Sequence, residues 1–246
     1  MPIGNEDGIE LPVISVVHPT MICALLTACL AVATMPLGVG LQDASQLRLI
    51  NQKLIAGDHV SAHSEQLALL SKVQNADLVF ILRGAEFADA ARLIGEAKKV
   101  GVRLVGFNLE GPLGAEELAS KEKAVADVVH AAGMTFLFAP TARSLQTGYK
   151  SFVGPADAIM VQSQHYETAS DYRQTVSALI AKLKAAKPGL KVWVQVSVNP
   201  PGDRNIAVDE VLQRVGDLHG IADGVFVFWA PFRRAAGEVV VARLRP

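Results

Sequence analysis

Short apolar runs alternate with amphipathic helical segments from residue 50 to the C-terminus of this chain. The clearest runs, Asp77–Leu82, Lys191–Val198 and Gly224–Trp229, are rich in β-branched and aromatic residues. Strands that are apolar on both faces are typical of a parallel sheet covered by helices. A series of such units in 246 residues predicts an α/β protein with a single (β/α)8 barrel of the TIM type, compact or incomplete at its termini.

The boundaries of the individual elements follow from apolar periodicity and from glycine and proline breaks. The predicted strands are Lys53–Gly57, Asp77–Leu82, Arg103–Glu110, Thr135–Ala139, Ala158–Gln164, Lys191–Val198, Gly224–Trp229 and Glu238–Leu244. The predicted helices are Ala62–Lys72, Phe87–Val100, Ala115–Ala132, Ala142–Thr147, Ala169–Lys187 and Val208–His219. No glycine-rich phosphate-binding loop follows any of these strands, so we expect no nucleotide and no other cofactor.

Composition narrows the classes of partner. Half of the residues are hydrophobic and 19% are charged, which suits one well-buried domain. The formal net charge of −1 offers no electrostatic footprint for nucleic acid. Cys23 and Cys29 are the only cysteines, which excludes a thiolate metal site or a cysteine nucleophile in the rest of the chain. The sequence gives no information about the oligomeric state.

The first 40 residues allow two interpretations. Met21–Gly40 resembles the apolar core of a signal peptide, with Ala31–Ala33 as a small-residue cleavage site and Leu26–Cys29 similar to a lipobox. Acidic residues stand where a leader has basic ones, so the alternative is a buried strand at Pro12–Val17 followed by a buried helix. We therefore divide the chain into 1–40, a leader or the first strand and helix, and 41–246, the barrel.

The location of the protein depends on that choice. A cleaved leader favours a secreted or cell-envelope protein, whereas a segment that belongs to the core leaves a cytoplasmic location open. Proline and glycine residues interrupt the apolar run, which argues against a transmembrane helix.

Polar and aromatic side chains collect where the predicted strands end, and in a barrel these ends form the active face. The candidates for substrate binding are Arg83, Gln162, Gln164, Tyr166, Gln195, Asn199 and Trp229. Asn108 and Glu110 share one face of their strand, because side chains alternate along a strand. Amides hydrogen-bond hydroxyl groups and rings stack on sugar C–H faces, so the predicted partner is a neutral carbohydrate.

His59 and His63 are four residues apart, a spacing that would place two imidazoles on one face of a helix and could bind a metal. The alternative is an ordinary helix N-terminus capped by Ser61 or Ser64. We favour the cap and expect no metal site. Ser163 lacks the flanking glycines of a nucleophile elbow, which argues against a serine hydrolase.

Four segments resemble the strands of one enzyme group. Val105–Gly111 (VGFNLEG) resembles the strand motif D-x-x-D-x-D-x-E, with Glu110 at the acid position. Phe136–Pro140, Met160–Gln164 and Gly224–Trp229 resemble three later strands, the last of which carries a tryptophan. Over residues 50–235 the chain thus resembles the family 18 glycoside hydrolases (chitinases), particularly the small hevamine-like ones, and the family 85 endo-β-N-acetylglucosaminidases.

The resemblance implies a glycoside hydrolase acting on N-acetylated glycans. Glu110 would be the general acid, and Asn108 would hold and polarise the acetamido group, as in the Asn-x-Glu pair of family 85. The chain departs from family 18 in having Gly106 and Asn108 where that motif has aspartates, and Gln164 where it has a tyrosine.

Two alternatives stay open. One is a barrel that binds carbohydrate without cleaving it. The other is an unrelated barrel enzyme that holds an anionic substrate with arginines, for which the candidates are Arg83, Arg143, Arg233 and Arg234.

Overall fold

Eight parallel strands close into a barrel in the computed structural model, which describes residues 35–109, 113–199 and 207–246. The strands are β1 Leu37–Gly40, β2 His59–Ala62, β3 Asp77–Arg83, β4 Leu104–Asn108, β5 Thr135–Phe138, β6 Ala158–Gln162, β7 Lys191–Ser197 and β8 Gly224–Phe228. Each strand pairs in parallel with the next, and β1 pairs with β8 through Leu37–Val225, Gly38–Phe226 and Val39–Val227. The predicted TIM-type (β/α)8 fold is confirmed.

A helix follows each strand and covers the outside of the barrel. The helices are α1 Leu47–Lys53, α2 Leu67–Leu70, α3 Ala90–Lys99, α4 Ala115–Ala131, α5 Ala142–Phe152, α6 Tyr172–Ala186, α7 Val208–Asp217 and α8 Arg234–Leu244. Short 3₁₀ turns lie at Ala44–Gln46, Ser64–Gln66, Gly84–Asp89, Ser163–His165 and Pro231–Arg233. Within the described ranges, no helix has the length and apolar character needed to cross a membrane.

Two apolar clusters form the core. The larger one fills the space between the sheet and the helices. The smaller one, which includes Met160, Trp193 and Phe226, fills the inside of the barrel. Large and small residues alternate there: a Cβ atom at Gly38 would lie 2.4 Å from the ring of Phe226, and one at Gly224 would lie 2.3 Å from the ring of Trp193. The interior is therefore packed, and open space remains only near its ends.

An aspartate stands directly before three of the even-numbered strands and ties each to the strand that precedes it. Asp58 precedes β2, Asp157 precedes β6 and Asp223 precedes β8. Their carboxylates accept hydrogen bonds of 2.8–2.9 Å from main-chain N–H groups of β1, β5 and β7. These bonds satisfy donors at the N-terminal ends of strands that have no partner there in the sheet.

Asp58 also forms a buried ion pair with Arg245, which follows α8. The Nε and Nη2 atoms of Arg245 lie 2.8 and 2.6 Å from the two carboxylate oxygens, and Nη2 also donates to the Met35 carbonyl at 2.9 Å. Both side chains are less than a tenth exposed. This ion pair near the C-terminus thus holds the residues just before β1 in place, and β1 is the strand at which the barrel closes.

The structure corrects the predicted elements at both ends of the barrel. Lys53–Gly57 is not a strand: α1 ends at Lys53, and the chain then turns through Gly57 with φ at +89°. Glu238–Leu244 belongs to helix α8, because Val240 and Val241 are buried when that segment packs on the barrel. Tertiary packing there overrides the β propensity of its three valines.

Two strands were missed for opposite reasons. β1 lies inside the apolar segment 1–40, where its four residues do not stand out. β2 was missed because two of its four residues are polar: His59 and Ser61 point into the barrel, and only Val60 and Ala62 are buried among the helices. The predicted helix Ala62–Lys72 is shorter, with a 3₁₀ turn before α2. The six predicted strands from Asp77–Leu82 to Gly224–Trp229 are confirmed. The leader features before residue 35 lie outside the described residues.

Helix α4 carries a buried carboxyl group on its barrel-facing side. Glu122 is fully buried, and neither of its oxygens has a hydrogen-bond partner within the described ranges. Burial raises the pKa of Glu122 to about 9, and the positive charge of Lys187 opposes this only in part. The folded protein therefore holds a proton on Glu122 at neutral pH, where the unfolded chain releases it.

We predict that Arg245→Met lowers the free energy of unfolding by about 3–5 kcal/mol, because it leaves the Asp58 carboxylate buried without its cation. Arg243→Met is the control, since that side chain is half exposed and pairs with an exposed Asp209; its effect should be about 0–1 kcal/mol. Urea denaturation of both variants measures the difference. Equal effects would mean that the ion pair is not what holds β1.

We also predict that Glu122→Gln changes the pH dependence of stability. Because the folded-state pKa of Glu122 is raised, the proton on this group stabilises the folded state relative to the unfolded chain. That stabilisation is greatest below the unfolded pKa and is lost as pH rises toward about 9. Wild type should thus lose up to about 1.4 kcal/mol per pH unit from this group, and the variant should not. Denaturation from pH 5 to pH 8 tests this, with exposed Glu116→Gln on the same helix as control.

Candidate functional site

A cavity of about 380 Å³ opens at the C-terminal mouth of the barrel. Its wall is built from the ends of the strands and from the residues that follow them, which is where TIM barrels place their sites. The polar side chains of the wall are Gln42, Ser61, His63, Asn108, Gln162, Gln164 and Gln195. Met160 and Phe226, from the interior apolar cluster, also line the cavity.

Three carboxamides form a directed chain of hydrogen bonds along one side of the cavity. The Nε2 atom of Gln162 lies 2.9 Å from the Ala139 carbonyl oxygen and 3.1 Å from Oδ1 of Asn108. The Nε2 atom of Gln164 donates to Oε1 of Gln162 at 3.4 Å. Because a main-chain carbonyl can only accept, the atom of Gln162 that faces Ala139 must be the nitrogen.

That constraint extends to the neighbouring amides. Gln162 donates with its nitrogen to Asn108, so Asn108 presents its oxygen to Gln162 and its NH2 group points the other way. Gln195, across the β6–β7 pair from Gln162, makes no hydrogen bond through its side chain within the described residues. The main-chain carbonyl of Ala139 therefore fixes the orientation of the Gln162 amide.

Aromatic rings line the β8 side of the cavity. The rings are those of Phe226 and Phe228, and Phe228 is 45% exposed. Trp229 also borders the cavity, but its ring packs against Gly237 of α8 in the larger apolar cluster and is 3% exposed. Phe232, on the 3₁₀ turn that follows, is 78% exposed. An apolar rim thus stands next to the amide-lined wall, an arrangement that suits a ligand with both hydroxyl groups and C–H faces.

The part of the cavity wall that the structure describes carries no carboxylate, ammonium or guanidinium group. His63 is its only titratable side chain, and it was not predicted to bind substrate. Nδ1 of His63 lies 2.9 Å from the Ile81 carbonyl, so it must carry a proton, and in the neutral ring Nε2 is then an acceptor. His63 follows β2, a strand that the sequence did not reveal, and this explains why it was missed.

His59 and His63 do not share a helical face. His59 lies at the N-terminal end of β2, where its ring contacts Trp193 with centroids 4.5 Å apart, while His63 stands beyond the opposite end of the strand. Burial lowers the pKa of His59, which favours the neutral ring. Among the described residues, no group of three or more His, Cys, Asp or Glu side chains could hold a metal ion.

The structure brings five of the predicted site residues together in the cavity wall and leaves three of them, Arg83, Tyr166 and Asn199, outside it. Asn108, Gln162, Gln164, Gln195 and Trp229 line it. Asn199 instead accepts a hydrogen bond from the Ala230 N–H at 2.9 Å, and the Tyr166 hydroxyl lies 2.6 Å from Nε2 of Gln146. Glu110, one residue beyond buried Leu109, lies outside the described residues.

Arg83 is also outside the cavity, and its guanidinium group forms ion pairs with two carboxylates. Its Nη2 atom lies 2.8 Å from Glu65 and 2.9 Å from Glu86. Burial raises the pKa of Glu86, but the hydrogen bonds and charge of Arg83 outweigh it and hold that pKa at about 2. The side chain thus pairs β3 with the following 3₁₀ turn rather than facing a ligand.

A second buried carboxyl group lies behind the cavity wall. Glu167 is 2% exposed, and its Oε1 atom accepts a hydrogen bond of 2.8 Å from the Ser197 N–H. Burial raises the pKa of Glu167 to about 8, against the hydrogen bond and the nearby charge of Arg214. The group supports the β6–β7 edge of the mouth without lining the cavity.

Gly106 stands two residues before Asn108 on the same face of β4. A Cβ atom there would lie 2.4 Å from Cδ1 of Ile81 and 3.3 Å from Leu137. The position at which the family 18 motif has an aspartate is therefore closed by apolar packing, and Asn108 is the first polar side chain of β4 toward the mouth.

No protein-family model matches the chain, and no curated protein matches it by sequence. Solved structures match its fold. The spore cortex-lytic enzyme of Bacillus megaterium superposes with a TM-score of 0.58 at 9% identity, covering 86% of this chain and 74% of that one. A Rhizomucor miehei β-1,3-glucanosyltransferase mutant in complex with laminaritriose gives 0.57 at 13% identity, covering 82% and 90%.

A further match has different chemistry. The deoxyribose phosphate aldolase of Aeropyrum pernix superposes with a TM-score of 0.55 at 14% identity, covering 87% of this chain and 89% of that one. At such identities the likeness shows a TIM barrel and no particular activity. Membership of family 18 or family 85 stays a prediction.

Proposed function

We propose that this protein is a glycoside hydrolase-like barrel that binds N-acetylated glycans in the cavity at its C-terminal mouth. The observation that carries the proposal is the composition of the described wall, where carboxamides stand next to aromatic rings and charged groups are absent. Amides donate to and accept from sugar hydroxyls, and rings pack on the apolar faces of sugar rings. The described part of the wall, which carries no charged group, suits a neutral ligand better than a phosphorylated or carboxylated one.

The Asn-x-Glu spacing of Asn108 and Glu110, which resembles the pair of family 85, supports an acetamido group as part of the ligand. An asparagine side chain carries an NH2 group, which is a donor. A donor can polarise the carbonyl of an acetamido group, which makes that group a better internal nucleophile. In the proposed reaction Glu110 then protonates the leaving oxygen as general acid.

The alternatives meet specific obstacles. A Schiff-base aldolase needs a lysine amine at its site, and none lines the described wall. An enzyme that holds an anion needs a free cation, but Arg83 and Arg234 each pair with two carboxylates. Arg143 and Arg233 do not line the cavity. The neighbours that the proposal draws on are the cortex-lytic enzyme and the glucanosyltransferase bound to a neutral trisaccharide.

A carbohydrate-binding barrel without activity is the second candidate. It is favoured by the absence of any carboxylate from the described wall, so that hydrolysis depends on Glu110 alone. Turnover separates the two candidates, because both predict binding.

We predict that Glu110→Gln abolishes hydrolysis of chitin oligomers and aryl N-acetylglucosaminides, a loss on the order of 10²–10⁴ in rate, while binding is nearly retained. The change keeps the shape of the side chain and removes its proton. Glu116→Gln, on the exposed face of α4, is the matched control. If calorimetry shows that wild type binds these sugars without turnover, the non-catalytic barrel is favoured. If wild type shows no binding and no turnover, both candidate functions are wrong.

We further predict that Asn108→Ala lowers the rate on N-acetylated substrates by more than on plain glucosides, since only the former have an acetamido group to polarise. The rates of wild type and variant on matched aryl N-acetylglucosaminide and aryl glucoside measure the ratio. An equal loss on both substrates would mean that Asn108 does not contact the acetamido group.

A further inference from the structure

We infer that His63 is a specificity-determining residue, whose Nε2 atom is a fixed acceptor for a hydrogen-bond donor of the ligand. The inference rests on the proposed function for the identity of the ligand, a neutral sugar, whereas the acceptor itself follows from contacts within the protein. The donor is a sugar hydroxyl or the N–H of an acetamido group, and these two groups respond differently to acid.

The sheet decides which nitrogen of His63 can accept. The ring is partly buried at the end of β2 and lines the cavity, and its Nδ1 atom lies 2.9 Å from the Ile81 carbonyl oxygen of β3. A main-chain carbonyl can only accept, so Nδ1 carries the proton and Nε2 of the neutral ring has a lone pair. Nε2 makes no hydrogen bond with the described residues. Nδ1 of His59, at the other end of β2, is buried without a partner, whereas Nε2 of His63 is not.

Two neighbouring side chains of the wall are turned in the same way. The Ser61 hydroxyl donates its only hydrogen to the Val39 carbonyl at 3.3 Å, so its oxygen can only accept from a ligand. The Nε2 atom of Gln42 donates to the Trp229 carbonyl at 2.8 Å, which directs Oε1 away from that carbonyl. Like His63, both side chains line the cavity. The β1–β2 side of the cavity therefore presents acceptors, and a ligand that contacts it must supply donors.

The chemistry of the donor determines what acid does to the contact. In acid, protonation adds a hydrogen to Nε2 of His63 and turns this atom into a donor. A sugar hydroxyl can rotate and accept from that hydrogen, so its contact survives. The N–H of an acetamido group can only donate, so its contact is lost. Acid should therefore weaken binding only if His63 contacts an acetamido N–H.

The charged groups around His63 are already paired. They are Glu65 and Glu86, which pair with Arg83, and Asp43, which pairs with Arg234. Hydrogen bonds lower the pKa of Glu65 and of Asp43, and that of Glu86 is about 2 despite its burial. These carboxylates therefore keep their charge across the range in which imidazoles titrate. Glu110, which follows β4, lies outside the described residues and is present in every variant below.

His63→Asn removes the acceptor and keeps the anchor. The amide nitrogen of asparagine is bonded to Cγ, as Nδ1 is in histidine, so it can still donate to the Ile81 carbonyl. No atom then stands in the place of Nε2. The variant should bind N,N′-diacetylchitobiose roughly tenfold more weakly than wild type at about pH 7.5, the effect of one hydrogen bond, as calorimetry measures.

Two sugars and two pH values identify the donor. If His63 contacts an acetamido N–H, the variant should lose affinity for chitobiose and not for cellobiose, and wild type alone should weaken toward the variant at about pH 5. If it contacts a hydroxyl, the variant should lose affinity for both sugars, and acid should change wild type and variant alike. Chitobiose binding that His63→Asn leaves unchanged would overturn the inference.

His165→Asn is the matched control. His165 is an exposed histidine on the turn after β6, at the same end of the barrel, and it does not line the cavity. The control should bind both sugars as wild type does at both pH values. A loss in the control equal to that in His63→Asn would mean that the effect does not come from the cavity, and would also overturn the inference.

NMR separates the inference from the proposed function, because long-range ¹H–¹⁵N correlations identify the tautomer of His63 without any ligand. The neutral ring should carry its proton on Nδ1 and have a bare Nε2; a proton on Nε2 would overturn the inference even if sugars bind. If the tautomer is as expected and wild type binds neither sugar, the proposed function and the sugar contact are wrong, and the fixed acceptor stands.

Discussion

The barrel depends on how its first strand is held. β1 has only four residues and must pair with both β8 and β2 for the sheet to close. Asp58 accepts from the Leu37 N–H and is itself held by Arg245, whose Nη2 also donates to the Met35 carbonyl. Arg245, near the C-terminus, thus fixes the position of the strand at which the barrel begins, through a buried contact between distant parts of the chain. The closed barrel in turn positions the strand ends that form the cavity.

The six strands β3 to β8 could be predicted from the sequence, whereas β1, β2 and the last helix could not. Strands such as β3 and β7 are long and apolar on the outward face, so periodicity finds them. β2 contains only two buried residues, and its inward positions hold His59 and Ser61, which looked like the start of a helix. The valines of α8 favoured a strand because propensity carries no information about the partner against which a segment packs. Closure is a long-range property, and no window of sequence contains both Asp58 and Arg245.

The same limits apply to the cavity. Alternation along β4, β6 and β7 was enough to predict that Asn108, Gln162 and Gln195 share the mouth of the barrel. Arg83 also follows its strand, but its charge is satisfied by Glu65 and Glu86 on neighbouring turns, which alternation cannot show. His63 was missed because its strand was missed. Sequence position therefore predicts which side chains can reach the mouth, whereas their partners decide which of them stay available to a ligand.

The depth of the cavity follows from the packing below it. Phe226 fills the space left by Gly38, and Ile81 fills the space left by Gly106, so the interior is closed beneath the last layer of side chains. A ligand can then contact only that layer and the residues that follow the strands. The described members of that layer carry no carboxylate, ammonium or guanidinium group, so they present amide groups and aromatic rings to the cavity. The buried main-chain carbonyl of Ala139 can only accept a hydrogen bond, and it therefore fixes the orientation of the Gln162 amide in that layer.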